Sequence, residues 1–283
     1  MSHNFRALAE GTGLVETPDG ALLYCQVRGR GAPILFLHGW AMSGRFWRRQ
    51  VEGLAGRFKV AVMDLRAHGN SSKVAQGHTL PQYARDVRAV LEALDLREAA
   101  LVGWSMAGPL VLEYLKQFGA EGLKALGLVD MTPCPFCPGE WNGHKLKNYN
   151  TEGMSDMLIS FFSDRRAAGE AFVHSMHHGG QALAENLDWM LREHLKTPTV
   201  AAAAVYSDYL MRDYTDVLGA ISLPTLVVAG QGQTFTESQA MGRWLADQIP
   251  GSTLAAFPES GHLPFYDEAD RFNQVLTDFL ERC

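Results

Sequence analysis

Leu101-Val102-Gly103-Trp104-Ser105-Met106-Ala107-Gly108 is a short apolar run that stops at a serine among small residues and continues at helical spacing as far as Phe118. An apolar run of this length reads as a strand buried on both faces of a parallel sheet, and the helix after it as the crossover to the next strand. The serine falls on the turn between them. There its hydroxyl stands above the sheet edge, and the following backbone N–H groups face the place where an oxyanion would develop. The run departs from G-x-S-x-G at Ala107, with Gly108 next, and alanine is small enough for a tight turn beside a close helix. A serine that merely caps the helix would leave the same local trace. Its place after the third parallel strand favours a nucleophile.

The same alternation extends in both directions. Gly13 to Thr17 and Ala21 to Val27 flank Pro18-Asp19-Gly20, a hairpin turn, so the sheet opens antiparallel. Short apolar runs follow at Ile34 to Leu37, Val60 to Met63, Ala99 to Val102, Leu126 to Val129, Thr225 to Ala229 and Leu254 to Phe257. Leu80 to Leu94, Met106 to Phe118, Ser238 to Ile249 and Ala269 to Leu280 carry apolar residues at helical spacing and supply the returns. The pattern predicts an α/β fold with a mostly parallel, eight-stranded sheet flanked by helices. Between Met131 and Gly219 the alternation fails, so a helical cap over 131–219 is expected after the sixth strand. Residues 1–130 and 220–283 then form the core of a single structural unit.

Composition excludes several classes. With 47% hydrophobic and 20% charged residues in 283, the chain is neither disordered nor fibrous. A net charge of -6 and scattered Lys and Arg leave no basic stripe for nucleic acid. No apolar run approaches the length that spans a bilayer, and the first residues lack the basic and apolar regions of a secretory signal. Cytoplasmic residence and a small-molecule substrate are therefore expected, while oligomeric state cannot be read. Four cysteines are too few for a disulfide scaffold and read as reduced thiols. Cys134-Pro135-Phe136-Cys137 has C-x-x-C spacing, but without a second pair or a thioredoxin-like context it reads as part of a loop.

Two further stretches carry chemistry. Leu35-Phe36-Leu37-His38-Gly39-Trp40 ends the first parallel strand in a glycine turn, so the main-chain N–H groups of Trp40 and Met106 can form an oxyanion hole. His38 reads as a structural histidine bonded to that loop. Phe257-Pro258-Glu259-Ser260-Gly261-His262 places a histidine on the loop after the last strand, where an imidazole can take the Ser105 proton and return it to a leaving group. His174, His177 and His178 have helical spacing but no accompanying carboxylate or cysteine pattern, so cap packing or solvent exposure is expected and no metal site. Trp104, Phe136, Trp141, Phe161, Phe162 and Trp189 are candidate pocket walls, the first three taken as substrate-binding, although aromatic residues in a cap also form its core.

At these motifs, and at Asp64-Leu65-Arg66-Ala67-His68-Gly69-Asn70-Ser71, the chain from about Leu14 to Leu280 resembles the α/β-hydrolase superfamily. It is most similar to the branch holding haloperoxidase-like esterases, enol-lactonases and pimeloyl-carrier methyl ester esterases. The resemblance implies a cofactor-independent hydrolase of small esters, lactones or related acyl substrates, acting through a Ser-Asp-His triad. Asp64 and Arg66 would hold their loop. Most of the superfamily carries the acid in a G-x-x-D turn after the penultimate strand, and here that position is Gln233, which cannot stabilise an imidazolium by charge. Some branches place the acid after the preceding strand, and Asp130-Met131-Thr132-Pro133 resembles such a subgroup. Asp130 is therefore assigned, with Glu237 as the fallback. Two other readings remain on this fold: a cofactor-independent 2,4-dioxygenase acting on hydroxy-oxoquinolines, which uses the same acid position, and a non-catalytic small-molecule receptor.

Overall fold

The computed structural model describes residues 5–9, 11–231 and 238–283. Its strands are β1 (Phe5–Ala9), β2 (Thr12–Glu16), β3 (Leu22–Arg28), β4 (Pro33–Leu37), β5 (Lys59–Met63), β6 (Ala99–Trp104), β7 (Leu123–Val129), β8 (Thr225–Ala229) and β9 (Thr253–Ala256). They form one sheet in the order β1-β2-β3-β5-β4-β6-β7-β8-β9, antiparallel up to the β3–β5 pairing and parallel beyond it. The sheet thus has nine strands rather than the expected eight. The extra one, β1, is a solvent-exposed edge strand whose Phe5 and Leu8 point into water, so it lacks the buried alternation by which a strand is recognised.

The helices are α1 (Arg48–Leu54), α2 (Leu80–Ala93), α3 (Ala107–Phe118), α4 (Thr151–Ser163), α5 (Arg165–Met176), α6 (Ala184–Leu195), α7 (Thr199–Leu210), α8 (Thr215–Leu218), α9 (Ser238–Gln248), α10 (Pro264–Asp267) and α11 (Ala269–Leu280). Buried residues of α2, α3 and α9 fill one face of the sheet, and those of α1 and α11 fill the other around Trp47, Phe265 and Phe272. All six residues of β6 and all five of β8 are buried, as central parallel strands must be when both faces are covered. Helix α2 begins on Thr79, whose side chain accepts the Gln82 N–H, with Pro81 in its first turn. From β7 to β8 the chain runs through α4 to α8, and no described helix is long and apolar enough to cross a membrane.

The loop after β5 is a rigid support for the site. The buried Asp64 carboxylate accepts the N–H groups of Gly44 and Asn70, both at 2.6 Å, and burial raises its pKa to about 6. The buried Arg66 binds Asp86 through two nitrogens, and Asp19 as well. These residues do the loop-holding work expected of them.

Candidate active site

The site is built where β4, β6 and β7 end. Gly103 lies against the first turn of α3 so closely that a Cβ there would sit 2.2 Å from the Ala107 carbonyl oxygen, which accounts for the small residues around the serine. Ser105 has φ +57°, a left-handed conformation costly for a residue with a side chain, and its N–H donates to the Val129 carbonyl at 2.9 Å. The bland alternative of a capping serine fails, because no side chain caps α3. Among the described residues the main-chain N–H groups of Trp40 and Met106 have no hydrogen-bond partner. Gly39, just before Trp40, lets the loop close on the serine: a Cβ at that position would lie 3.1 Å from the Ser105 Cβ.

Asp130 directly follows β7 with φ +44° and donates its N–H to the Val228 carbonyl of β8 at 2.7 Å. Its carboxylate is buried, and Oδ2 lies 2.5 Å from His262 Nδ1. The other oxygen, Oδ1, accepts the Gly230 N–H at 2.9 Å and the Ser238 hydroxyl at 2.5 Å. The structure thus brings Asp130 and His262 together across 132 residues of chain. Gln233 and Glu237, the expected acid position and the fallback, lie outside the described residues.

His262 is held through its backbone as well. Its N–H donates to the Met176 carbonyl at 2.6 Å, one of the carbonyls that the end of α5 leaves without a helical partner. Its own carbonyl accepts the Trp104 indole N–H at 2.8 Å. The approach to α5 needs glycine at 261, where a Cβ would meet the Met176 oxygen at 2.2 Å. Ser238, Met176 and the indole of Trp104 were not marked as supports by the sequence, because each acts through a long-range contact that no local spacing announces.

The aromatic residues expected as pocket walls take varied places. Trp104 is only 1% exposed, stacked on Phe46 and edge-on to Phe265, and its indole N–H holds the His262 backbone. Trp141 stacks on Trp244 of α9 at 3.8 Å between ring centroids. Phe136 is buried in the core with Met106 and Met131. Phe162 faces solvent, and Trp189 packs against Phe46 and Tyr266, while Phe161 does meet the site through Trp40, at 5.0 Å. The Trp40 ring is further enclosed by Phe172 and Tyr206, and its indole N–H donates to the Ala202 carbonyl.

Four other histidines are held by contacts within the fold. His38 Nδ1 bonds the Gly39 carbonyl and Nε2 accepts the Leu65 N–H, so the ring is neutral, and burial lowers its pKa to about 4. His174 Nδ1 accepts the Ala182 N–H, and His177 packs 3.6 Å from Asp267. His144, which sequence reading passed over, is buried with Nδ1 accepting the Leu146 N–H; burial and then the nearby His262 lower its pKa to about 3. Cys134 and Cys137 are joined in a disulfide, against the expectation of reduced thiols. Cys25 is buried and free, and Cys283 is free and exposed.

A central parallel sheet with its reactive groups gathered on loops at the carboxyl ends of the strands defines an α/β enzyme of the doubly wound kind. The chain belongs to the alpha/beta hydrolase fold family, whose pattern matches residues 32–269. Relatives of this chain within it include non-heme chloroperoxidases, a non-heme haloperoxidase and methyl ester esterases. It is 25% identical to a non-heme chloroperoxidase of Kitasatospora aureofaciens, over 94% of this chain and 98% of that one. It is 27% identical to a pimeloyl-[acyl-carrier protein] methyl ester esterase of Vibrio cholerae, over 92% and 98%. Among solved structures, a bromoperoxidase from Bacillus anthracis shares the fold with a TM-score of 0.87 at 22% identity, covering 95% of this chain and 99% of that one. An N-acyl homoserine lactone degrading enzyme matches at 28% identity with a TM-score of 0.76, covering 94% and 99%.

Proposed function

We propose that the protein is a cofactor-independent serine hydrolase that cleaves small esters, lactones or related acyl substrates through Ser105, His262 and Asp130. The observation that carries the reading is the buried Asp130 carboxylate 2.5 Å from His262 Nδ1, on the strand next to the strained elbow of Ser105. The carboxylate fixes the proton on Nδ1, which leaves Nε2 as the base. Ser105 Oγ attacks the carbonyl carbon as its proton passes to Nε2, and the resulting imidazolium is stabilised by Asp130. The N–H groups of Trp40 and Met106 receive the oxyanion; losing one such donor costs on the order of a hundred- to a thousand-fold in rate. His262 then protonates the leaving alcohol, and water attacks the acyl-enzyme by the same route in reverse. Residues 131–219 act as a cap that bounds the acyl pocket, with Phe161, Phe172 and Tyr206 reaching it around Trp40. Ester and lactone substrates are supported by relatives named as a methyl ester esterase and as a lactone-degrading enzyme.

The test is a screen of short aryl esters, lactones and hydroxyquinolones with oxygen uptake recorded in parallel, repeated on Ser105→Ala. Ester or lactone turnover without oxygen uptake, lost in the variant together with fluorophosphonate labelling, is expected. Oxygen consumption with a hydroxyquinolone would replace this reading by the dioxygenase one.

A further inference from the structure

The disulfide between Cys134 and Cys137 stands four residues beyond Asp130 and is used by no step of the reaction above. Its two sulfurs differ in access: Cys134 is buried, at 3% exposure, whereas Cys137 is partly open to solvent. Beside Cys137 stands Asp213, with Oδ2 3.4 Å from the sulfur and Oδ1 already occupied by the N–H and hydroxyl of Thr215. The turn is also the anchor of the loop behind the site. The two N–H groups of the Asn142 carboxamide are shared among the carbonyls of Cys134, Pro135 and Cys137 at 2.9, 3.1 and 2.9 Å, and its oxygen accepts the His144 N–H at 3.0 Å. On the other side, Met131 packs against Gly108 in the first turn of α3, and the Pro133 carbonyl accepts the Tyr214 N–H. Three backbone carbonyls in register for one amide require the turn to keep its closed shape.

We infer that Cys134–Cys137 is a thiol–disulfide exchange site that takes an uncharged or cationic dithiol reductant, and that its oxidised state holds the Asp130 loop in working order. A thiolate of the reductant attacks the accessible Cys137 sulfur, forming a mixed disulfide and releasing Cys134 as a thiolate, which takes a proton. The second thiol of the reductant then attacks its own sulfur in that mixed disulfide, closing a cyclic disulfide and releasing Cys137. Two electrons and two protons pass from reductant to protein, and no other reactant is needed. Asp213 biases both ends of the exchange. Its negative charge repels reductants that carry carboxylates besides the attacking thiolate, such as glutathione, more than those whose thiolate is their one negative charge, and once Cys137 is reduced the carboxylate accepts its S–H, keeping it a thiol and slowing reoxidation. With the bond open, the two residues are free to separate and the three carbonyls no longer converge on Asn142, so Asp130 and His144 lose a fixed neighbour.

The experiment reads thiols, loop protection and rate on the folded enzyme. Incubation with dithiothreitol without denaturant is expected to add two titratable thiols to those of the untreated protein. It should raise hydrogen exchange over residues 131–150, lower ester turnover at least fivefold, and be reversed by oxidised dithiothreitol. Glutathione should react more slowly per thiolate, and Asp213→Asn should narrow that gap. Cys283→Ser should respond like the parent, whereas Cys134→Ser/Cys137→Ser should be insensitive and sit at the reduced rate. The activity arm rests on the hydrolase reading; the thiol count and the exchange do not, so they stand even if no ester is turned over. No gain of thiols in the folded protein, unchanged loop protection after reduction, equal rates in both states, or a protein isolated with stoichiometric zinc on two free thiols would each overturn the inference.

Discussion

Asp130→Asn is the sharpest perturbation of the proposed site, because the surroundings dictate how the amide must sit. Oδ1 of Asp130 accepts two donors, the Gly230 N–H and the Ser238 hydroxyl. If the asparagine oxygen stays there, the amide NH2 faces His262 Nδ1 and donates to it. The proton of the neutral imidazole must then move to Nε2, and the lone pair that should take the Ser105 proton is gone. If the amide flips, its NH2 meets the Gly230 N–H, a donor with no means of turning away, and a buried unsatisfied donor costs about 1–3 kcal/mol. The wrong tautomer is therefore the favoured outcome. Together with loss of the charge that stabilises the imidazolium, it is expected to lower kcat on a short aryl ester by about ten-thousandfold, or about 5 kcal/mol in the barrier. Fluorophosphonate labelling should slow in parallel, since it needs the same activated oxygen. The histidine 15N shifts should show the proton on Nε2, and thermal unfolding should establish that the fold is kept. A folded Asp130→Asn enzyme within tenfold of the parent rate would refute the assignment and return the acid to the segment between Gly230 and Ser238.

Other outcomes follow from the same geometry. Ser238→Ala removes one charge-assisted hydrogen bond from Asp130, in the range of about 1.5–3 kcal/mol, and should lower kcat on the order of tenfold while KM stays near the parent value; steady-state kinetics checks it. Gly261→Ala places a methyl group on the Met176 carbonyl and should lower both thermal stability and activity, measured by melting and ester turnover. For His38, with a folded pKa of about 4 against 6.5 unfolded, the unfolded chain binds more protons below pH 6.5. Its stabilisation is therefore complete above pH 6.5 and falls as pH drops toward 4, by about 2 kcal/mol at pH 5. Asp64, raised to about 6 by burial, works in the opposite sense over an overlapping window, since the folded protein then holds the extra proton. The contribution of His38 is isolated by urea unfolding of the parent and His38→Gln at pH 7.5 and pH 5, where the variant should lose less stability between the two; an equal loss would count against it.

Much of the fold was legible because its signals are local. The runs at Leu126 to Val129 and Thr225 to Ala229 announce buried parallel strands by composition, and the serine elbow announces itself by small residues between a strand and a helix. Helix α1 was less visible, since Arg48–Leu54 offers only Val51 and Leu54 as buried apolar residues beside Gln50. Asp130 was proposed as the acid by noticing the glutamine at position 233 and looking one strand earlier, and its carboxylate lies 2.5 Å from His262 Nδ1. Ser238 and Met176 could not be found this way. Each joins the site through a contact with a partner 108 or 86 residues away in the chain, set only when the strands and helices pack. The anchoring role of Trp104 was not legible because an aromatic residue beside a nucleophile looks the same in sequence whether its ring meets a substrate or anchors a backbone carbonyl. The disulfide was missed for a different reason: two cysteines at C-x-x-C spacing are compatible with thiols or a bond, and composition argued only about the compartment.

The way His262 is suspended has a bearing on how such enzymes are remodelled. Ser105 and Asp130 descend from neighbouring strands tied to each other by backbone bonds, so their mutual placement travels with the sheet. The main chain of the histidine hangs between the core, through Trp104, and the inserted helices, through the last carbonyl of α5. Exchanging residues 131–219 for the corresponding segment of another hydrolase would therefore change more than the shape available to a substrate. Unless the donor segment brings a carbonyl oxygen to the place that Met176 occupies, the graft would lose a main-chain anchor of the proposed base, and a chimera chosen for a new specificity is expected to fail through misaligned proton transfer with its pocket intact.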